Sequence, residues 1–328
     1  MLSDLLWLII LTVFAIFSIK RPYVALSCVI FVDILKPQNL SFSFLANKPL
    51  SLVFTLIFLI SLLLNFRQIS LPSKKNTTFF LVLFMGWITY TTQQAEFQWA
   101  AWYKYDYSIK TLFFALFIPF VLNSRIKLEF FIMIMVSAIS YFIINGGMKT
   151  LFGTTGYGME LVYSRVGDSG ITETSTLSMV SAFCLPFIYY LHQYSLFNNK
   201  TIKLILLALS FAAVMTIIGT HARTGLVGLF VLSMLVLLKT KKKFKIMTVL
   251  VTVFILILAF APQNWLDRMN TLTEAKTESS AYGRIVVWEW TFDYVAQKPF
   301  TGGGFMSFKA NAGVLHLYAK EGAEVDLR

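Results

Sequence analysis

Long uninterrupted apolar runs dominate the chain, separated by short polar links. The runs predict helices at about 4 to 19, 23 to 35, 50 to 66, 78 to 93, 109 to 123, 128 to 144, 174 to 194, 202 to 219, 225 to 238 and 245 to 261. Crossing about 30 Å of hydrocarbon takes roughly 20 apolar residues, and most of these runs approach that length. The predicted fold is therefore all-α, a polytopic membrane bundle of about ten transmembrane helices. The polar stretch from 262 to 328 follows them as a large extracytoplasmic loop.

Composition agrees with the pattern. Hydrophobic residues make up 57% of 328 positions and charged residues 13%, and the mean hydropathy is +0.70, more apolar surface than a soluble domain covers. The formal charge of +12 would suit nucleic acid, but its distribution points to membrane orientation instead. Alternate links hold Lys20 and Arg21; Arg67, Lys74 and Lys75; Arg125 and Lys127; Lys200 and Lys203; and Lys239, Lys241, Lys242, Lys243 and Lys245. These links hold 14 basic residues against one acid, Glu129, and by the positive-inside rule they face the cytoplasm. The opposite links mix Lys36, Lys48, Lys104, Lys110, Lys149, Arg165 and Arg223 with Glu96, Asp106, Glu160, Asp168 and Glu173. On this sorting the link at 219 to 225 and the segment from Pro262 onward both lie outside the cytoplasm. Gly146, Gly147, Gly153, Gly156 and Gly158 mark another outer loop, running to about Glu173, that would cover the same face. MLSDLLWLII carries Asp4 and no basic n-region, so it is expected to be a retained first span. Cys28 and Cys184 sit inside apolar runs and read as small core residues, and no metal-ligand spacing occurs.

Against this background two arginines stand out. Arg223 lies in GTHARTG, a link too short to carry it far from the bilayer, and Arg284 lies in SAYGRIVVWEW. A guanidinium keeps its charge, so at the edge of a membrane bundle it meets a headgroup, a carboxylate or a bound anion. Snorkelling to the interface would place Arg223 equally well. His221 is a neighbouring donor or proton-transfer candidate, and Arg165 is a further candidate for contact with substrate. Ile285, Trp288 and Phe292 recur at helical spacing behind Arg284 and suit docking on the membrane surface. Pro299 and the glycines Gly302, Gly303 and Gly304 then end the helix in a turn, or let backbone approach a ligand. Glu321, Glu324 and Asp326 read as solvated charges near the chain end, and the phosphate-binding loop pattern GxxxxGK[ST] is absent. Two planar forks suit one diphosphate, each charge-assisted bond contributing about 1.5 to 3 kcal/mol.

At these residues the chain resembles the O-antigen ligase and polymerase superfamily, in particular the O-glycosylation ligases associated with exosortase A systems. IKRPYVAL, DILKPQNLSFSF, NGGMKTLFGTTG, GTHARTG and NWLDRM carry the resemblance, and SAYGRIVVWEWTFDYVAQKPFTGGGFMSF carries it most strongly. It implies an N-terminal membrane domain over 1 to 195 and a ligase-related domain over 200 to 328. The implied enzyme moves a glycan from undecaprenyl diphosphate to an acceptor hydroxyl on the periplasmic face of the bacterial inner membrane. No metal and no other cofactor is implied; the partners are the lipid-linked glycan, an acceptor protein or lipid, and membrane lipid. The roles it gives Arg223 and Arg284 are those of diphosphate-binding, catalytic arginines. Two departures stand beside it. The superfamily's histidine belongs to a His-Ser-x-Tyr or His-Asn-x-Tyr run, which His316 in LHLYAKEG does not match, so the expectation is a chain truncated before its general base. ITETSTLS keeps the acid Glu173 where relatives follow it with amides, but has Thr174 and Ser175 there. A polymerase of the same superfamily and a lipid-linked saccharide transporter are the rival readings; few charges within the predicted spans disfavours the transporter.

Overall fold

In the computed structural model, described residues are 2–71, 75–152, 171, 173–196, 199–220, 222–240, 243, 244, 247, 248, 279–311, 313 and 318. Their secondary structure is helical: α1 (Leu2–Lys20), α2 (Pro22–Leu35), α3 (Pro37–Leu40), α4 (Leu50–Leu64), α5 (Lys75–Gln93), α6 (Gln98–Val121), α7 (Arg125–Leu151), α8 (Thr174–Tyr194), α9 (Lys200–Gly219), α10 (Arg223–Lys239), α11 (Ser279–Gln297) and α12 (Ser307–Ala310). Among them α1, α7, α8 and α9 are long and apolar enough to cross a membrane, and α2 and α4 are shorter apolar helices. Most of the expected tenth span at 245 to 261, and residues 262–278 with most of those after 311 in the loop expected from 262, lie outside the described residues.

Two boundaries differ from the sequence expectation. Helix α6 begins at Gln98, so Lys104, Asp106 and Lys110 are helical and not in a link. Its first half alternates aromatic and charged residues and so lacks the continuous apolar run by which spans were recognised. Helix α7 continues through Gly146 and Gly147, which were expected to open a loop. Packing explains it: a Cβ at Gly147 would fall 2.9 Å from the backbone oxygen of Ala212. The glycine brings α7 against α9.

The chain forms two compact units, Met1–Ser70 with Val121–Ala261, and Leu71–Phe120 with Pro262–Arg328. In the first, Ile132, Val136, Ile139 and Ile143 of α7 meet Cys184, Ile188 and Leu191 of α8 and Leu206, Leu209 and Ala213 of α9. Each set repeats every three or four positions, the stripe one helix face supplies. Leu204, Leu207 and Phe211 of α9 remain exposed, as suits a surface meeting lipid. Both cysteines are free and buried, as expected of core residues. Thr216 Oγ1 donates to the Ile143 carbonyl at 2.8 Å, a polar tie between apolar helices.

Two buried carboxylates fasten links to helix starts. Asp4, in the first turn of α1, accepts from the backbone N–H groups of Phe42, Ser43 and Leu45 at 3.3, 3.1 and 3.2 Å. Glu129 of α7 accepts from Arg125 Nε at 2.8 Å, Tyr190 Oη at 3.2 Å and the Leu196 N–H at 3.0 Å. Asp4 thus gives the SFSF part of DILKPQNLSFSF a physical role: its backbone donors satisfy a buried anion.

Candidate functional site

The best-defined part of the candidate site is one end of the first unit, where α9 stops and α10 begins. Gly219 closes α9 against α7; a Cβ there would lie 2.0 Å from Thr150 Oγ1. Thr220 follows as C-cap, and Ala222, in extended backbone, is the N-cap of α10. Arg223 is therefore the first residue of a helix, and GTHARTG is a tight helix-to-helix turn.

Helix α10 runs parallel to α8 with its start beside that helix's start. Thr224 Oγ1 donates to the Ser175 carbonyl at 3.2 Å. A Cβ at Gly225 would sit 1.8 Å from Ser178 Oγ, and one at Gly228 would sit 3.1 Å from Ala182 Cβ. The Ser178 hydroxyl is fully buried and has no hydrogen-bond partner among the described residues. Both glycines of GTHARTG thus serve close packing.

Electrostatics makes this end unusual. A helix N-terminus carries about half a positive charge and is stabilised by nearby acid. Neither α8 nor α10 has an acid in its first turn. Glu173, the N-cap of α8, accepts from Thr176 Oγ1 at 3.0 Å and makes no side-chain cap bond. Arg223 adds a full cation beside these two helix starts, of which that of α8 carries the Glu173 carboxylate at its N-cap.

Arg284 belongs to the second unit, so the two arginines are described in separate bodies. It lies exposed on α11, and Trp288 and Phe292 follow at four-residue steps, also exposed. Val286 and Trp290 point inward, packed with Val287, Tyr294, Phe308 and Tyr318. The glycine turn after the helix has a local purpose. Gly304 has φ +74, and a Cβ on it would lie 2.5 Å from Ala95 Cβ. The close approach is to the corner between α5 and α6. At the same corner Glu96 accepts from Tyr294 Oη at 2.7 Å and from Lys298 Nζ at 3.3 Å.

Those two donors, Tyr294 first and Lys298 second, hold the Glu96 carboxyl below its ordinary range. The hydrogen bonds to Tyr294 and Glu96 raise the Lys298 ammonium. A lowered carboxylate stabilises the fold above its unfolded pKa and loses that contribution as pH falls; a raised ammonium does so below its own and loses it as pH rises. The corner is thus expected to hold between roughly pH 5 and 10 and to loosen beyond both limits. Hydrogen exchange of the α11 amides, corrected for intrinsic rates, checks this: Glu96→Gln should exchange faster at neutral pH and lose the acid-side transition.

His221, Arg165, His316 and NWLDRM lie outside the described residues. Sequence reasoning passed over Glu129, counted only as the single acid of the cytoplasmic links. Its spacing of four from Arg125 was the available signal.

The apolar helices make this a membrane protein. Residues 2–196 match a family of unknown function, DUF5935, and the chain belongs to that family. Residues 205–326 match the O-antigen ligase family, which supports membership of the O-antigen ligase superfamily and an O-antigen ligase-like membrane enzyme. No curated protein and no solved structure matches the chain. Arg223 and Arg284 both fall within the ligase-matched segment.

Proposed function

We propose that this protein is a ligase-type glycosyltransferase that moves a glycan from undecaprenyl diphosphate to an acceptor hydroxyl on the periplasmic face of a bacterial inner membrane. The observation that carries the reading is Arg223 at the start of α10, beside the start of α8, within a segment matching O-antigen ligases. A diphosphate is the anion such a lipid-linked donor presents. The acceptor oxygen attacks the anomeric carbon, and the bond from that carbon to the diphosphate oxygen breaks. Charge then grows on the departing lipid diphosphate, where Arg223 and Arg284 stabilise it more in the transition state than in the ground state. The acceptor proton passes to a general base, the role the resemblance gives a histidine. The acceptor is a protein or lipid hydroxyl of an exopolysaccharide-linked, exosortase-associated system.

Glycan transfer from a purified lipid-linked donor tests the reading. Arg284→Ala in the full-length protein is expected to reduce transfer by at least tenfold, on the order of one lost charge-assisted bond of about 1.5 to 3 kcal/mol. Unchanged transfer would sink the assignment.

A further inference from the structure

Helix α11 is apolar on two opposed sides. Val286 and Trp290 are 0% and 5% exposed and form the core of its unit, whereas Trp288 and Phe292 are 62% and 77% exposed. Ile285 and Val295 extend the outer stripe, and Arg284 stands on it, four residues before Trp288. By helical spacing the acids Glu289 and Asp293 fall between the two apolar sides. A single packed neighbour therefore satisfies half of this helix.

A second element of the unit shows the same chemistry. Along α6 the composition changes sharply: Trp99, Trp102, Tyr103, Lys104 and Tyr107 crowd the first half, and Thr111–Val121 is almost wholly apolar. Trp99, Tyr103 and Tyr107 are exposed, and the Lys104 ammonium lies 5.3 Å from the Tyr107 ring centre. Amphipathic aromatics interleaved with cations, next to purely apolar helix, mark the level where hydrocarbon gives way to headgroups. Glu96 and Ala95 immediately precede this half of α6, and they are the residues that hold Tyr294, Lys298 and Gly304. The fold thus fastens α11 at the aromatic end of α6.

We propose that α11 is an interfacial helix whose outer stripe lies in the headgroup layer of an anionic phospholipid leaflet. Trp288 and Phe292 reach the top of the acyl chains, and Arg284 meets lipid phosphate. Charge complementarity favours this occupant over a protein surface, because the cation stands on the stripe and the acids stand off it. The stripe rests on the geometry of this unit alone, whereas Arg284 is shared with the diphosphate reading, in which a bound donor takes the place of leaflet phosphate.

The test uses the full chain in nanodiscs of phosphatidylcholine, with or without phosphatidylglycerol. Cys28 and Cys184 are fully buried, so a polarity-sensitive fluorophore goes on Phe292→Cys, with Glu289→Cys as control. The label at 292 should emit blue-shifted and be quenched by lipid brominated near the top of the acyl chain. The control should stay water-like and iodide-accessible. Phosphatidylglycerol should enlarge the blue shift at 292, and Arg284→Gln should remove that enlargement. A water-like label at 292 in both membranes would overturn the proposal. So would a label shielded from iodide yet unquenched by brominated lipid, which would place protein there. A shift indifferent to phosphatidylglycerol would overturn the anionic partner. None of these readouts requires glycan transfer, so failure of one reading leaves the other standing.

Discussion

Replacing Arg223 by alanine should lower the rate of glycan transfer by about 10²–10³, the loss seen when one preorganised donor to a developing anion is removed. Its position underlies the size of the effect. Arg223 is carried on the first residue of α10, and that start is fixed to α8 by the Thr224 to Ser175 hydrogen bond and by Gly225 packed on Ser178. The backbone that carries this donor is fixed before charge develops. The loss should appear in kcat more than in KM, because the diphosphate gains charge only as the glycosidic bond breaks. Lysine should restore little, since it replaces a bidentate fork with a point charge. Single-turnover kinetics with purified donor separates these outcomes. A change confined to KM would mean that Arg223 holds the donor's ground state alone.

The same turn shows what the sequence made legible. Arg223 drew attention because a permanent charge in an apolar chain needs a partner. Helix α10 was read at 225 to 238, but its start at Arg223 was not legible, because glycine on either side reads as loop punctuation. Gly219 and Gly225 are instead places where helices touch, against Thr150 and Ser178. Gly147 misled in the same way, and its partner Ala212 lies on another helix, beyond what a local pattern reports. Helix α8 was read to the residue, 174 to 194. The aromatic half of α6 was missed because a helix at an interface need not be continuously apolar. The exposed stripe of α11 was legible from spacing, but its attachment to Glu96 joins residues about two hundred positions apart and needed the fold.

Glu129→Leu should be the most destabilising change in the first unit. The carboxylate is 1% exposed and serves two donors besides Arg125: the Tyr190 hydroxyl and the Leu196 N–H. Leucine fills similar space but accepts nothing, so each of these part-buried donors costs at most about 1 to 3 kcal/mol where water does not replace the carboxylate. Arg125 differs, because its side chain is 58% exposed and reaches water or headgroups once the carboxylate is gone. The larger damage therefore falls on the link after α8, where the Leu196 N–H is held next to the last turn of that helix and just before α9. Glutamine keeps one acceptor oxygen at the same reach and should recover part of the loss. Denaturant titration in detergent micelles, with proteolysis mapped across 194 to 200, tests both claims. The leucine variant should lose stability and become cleavable in that link first. Equal stability of the leucine and wild-type proteins would mean that these donors find water at the membrane edge, and that the carboxylate contributes nothing to holding α7 and α8 together.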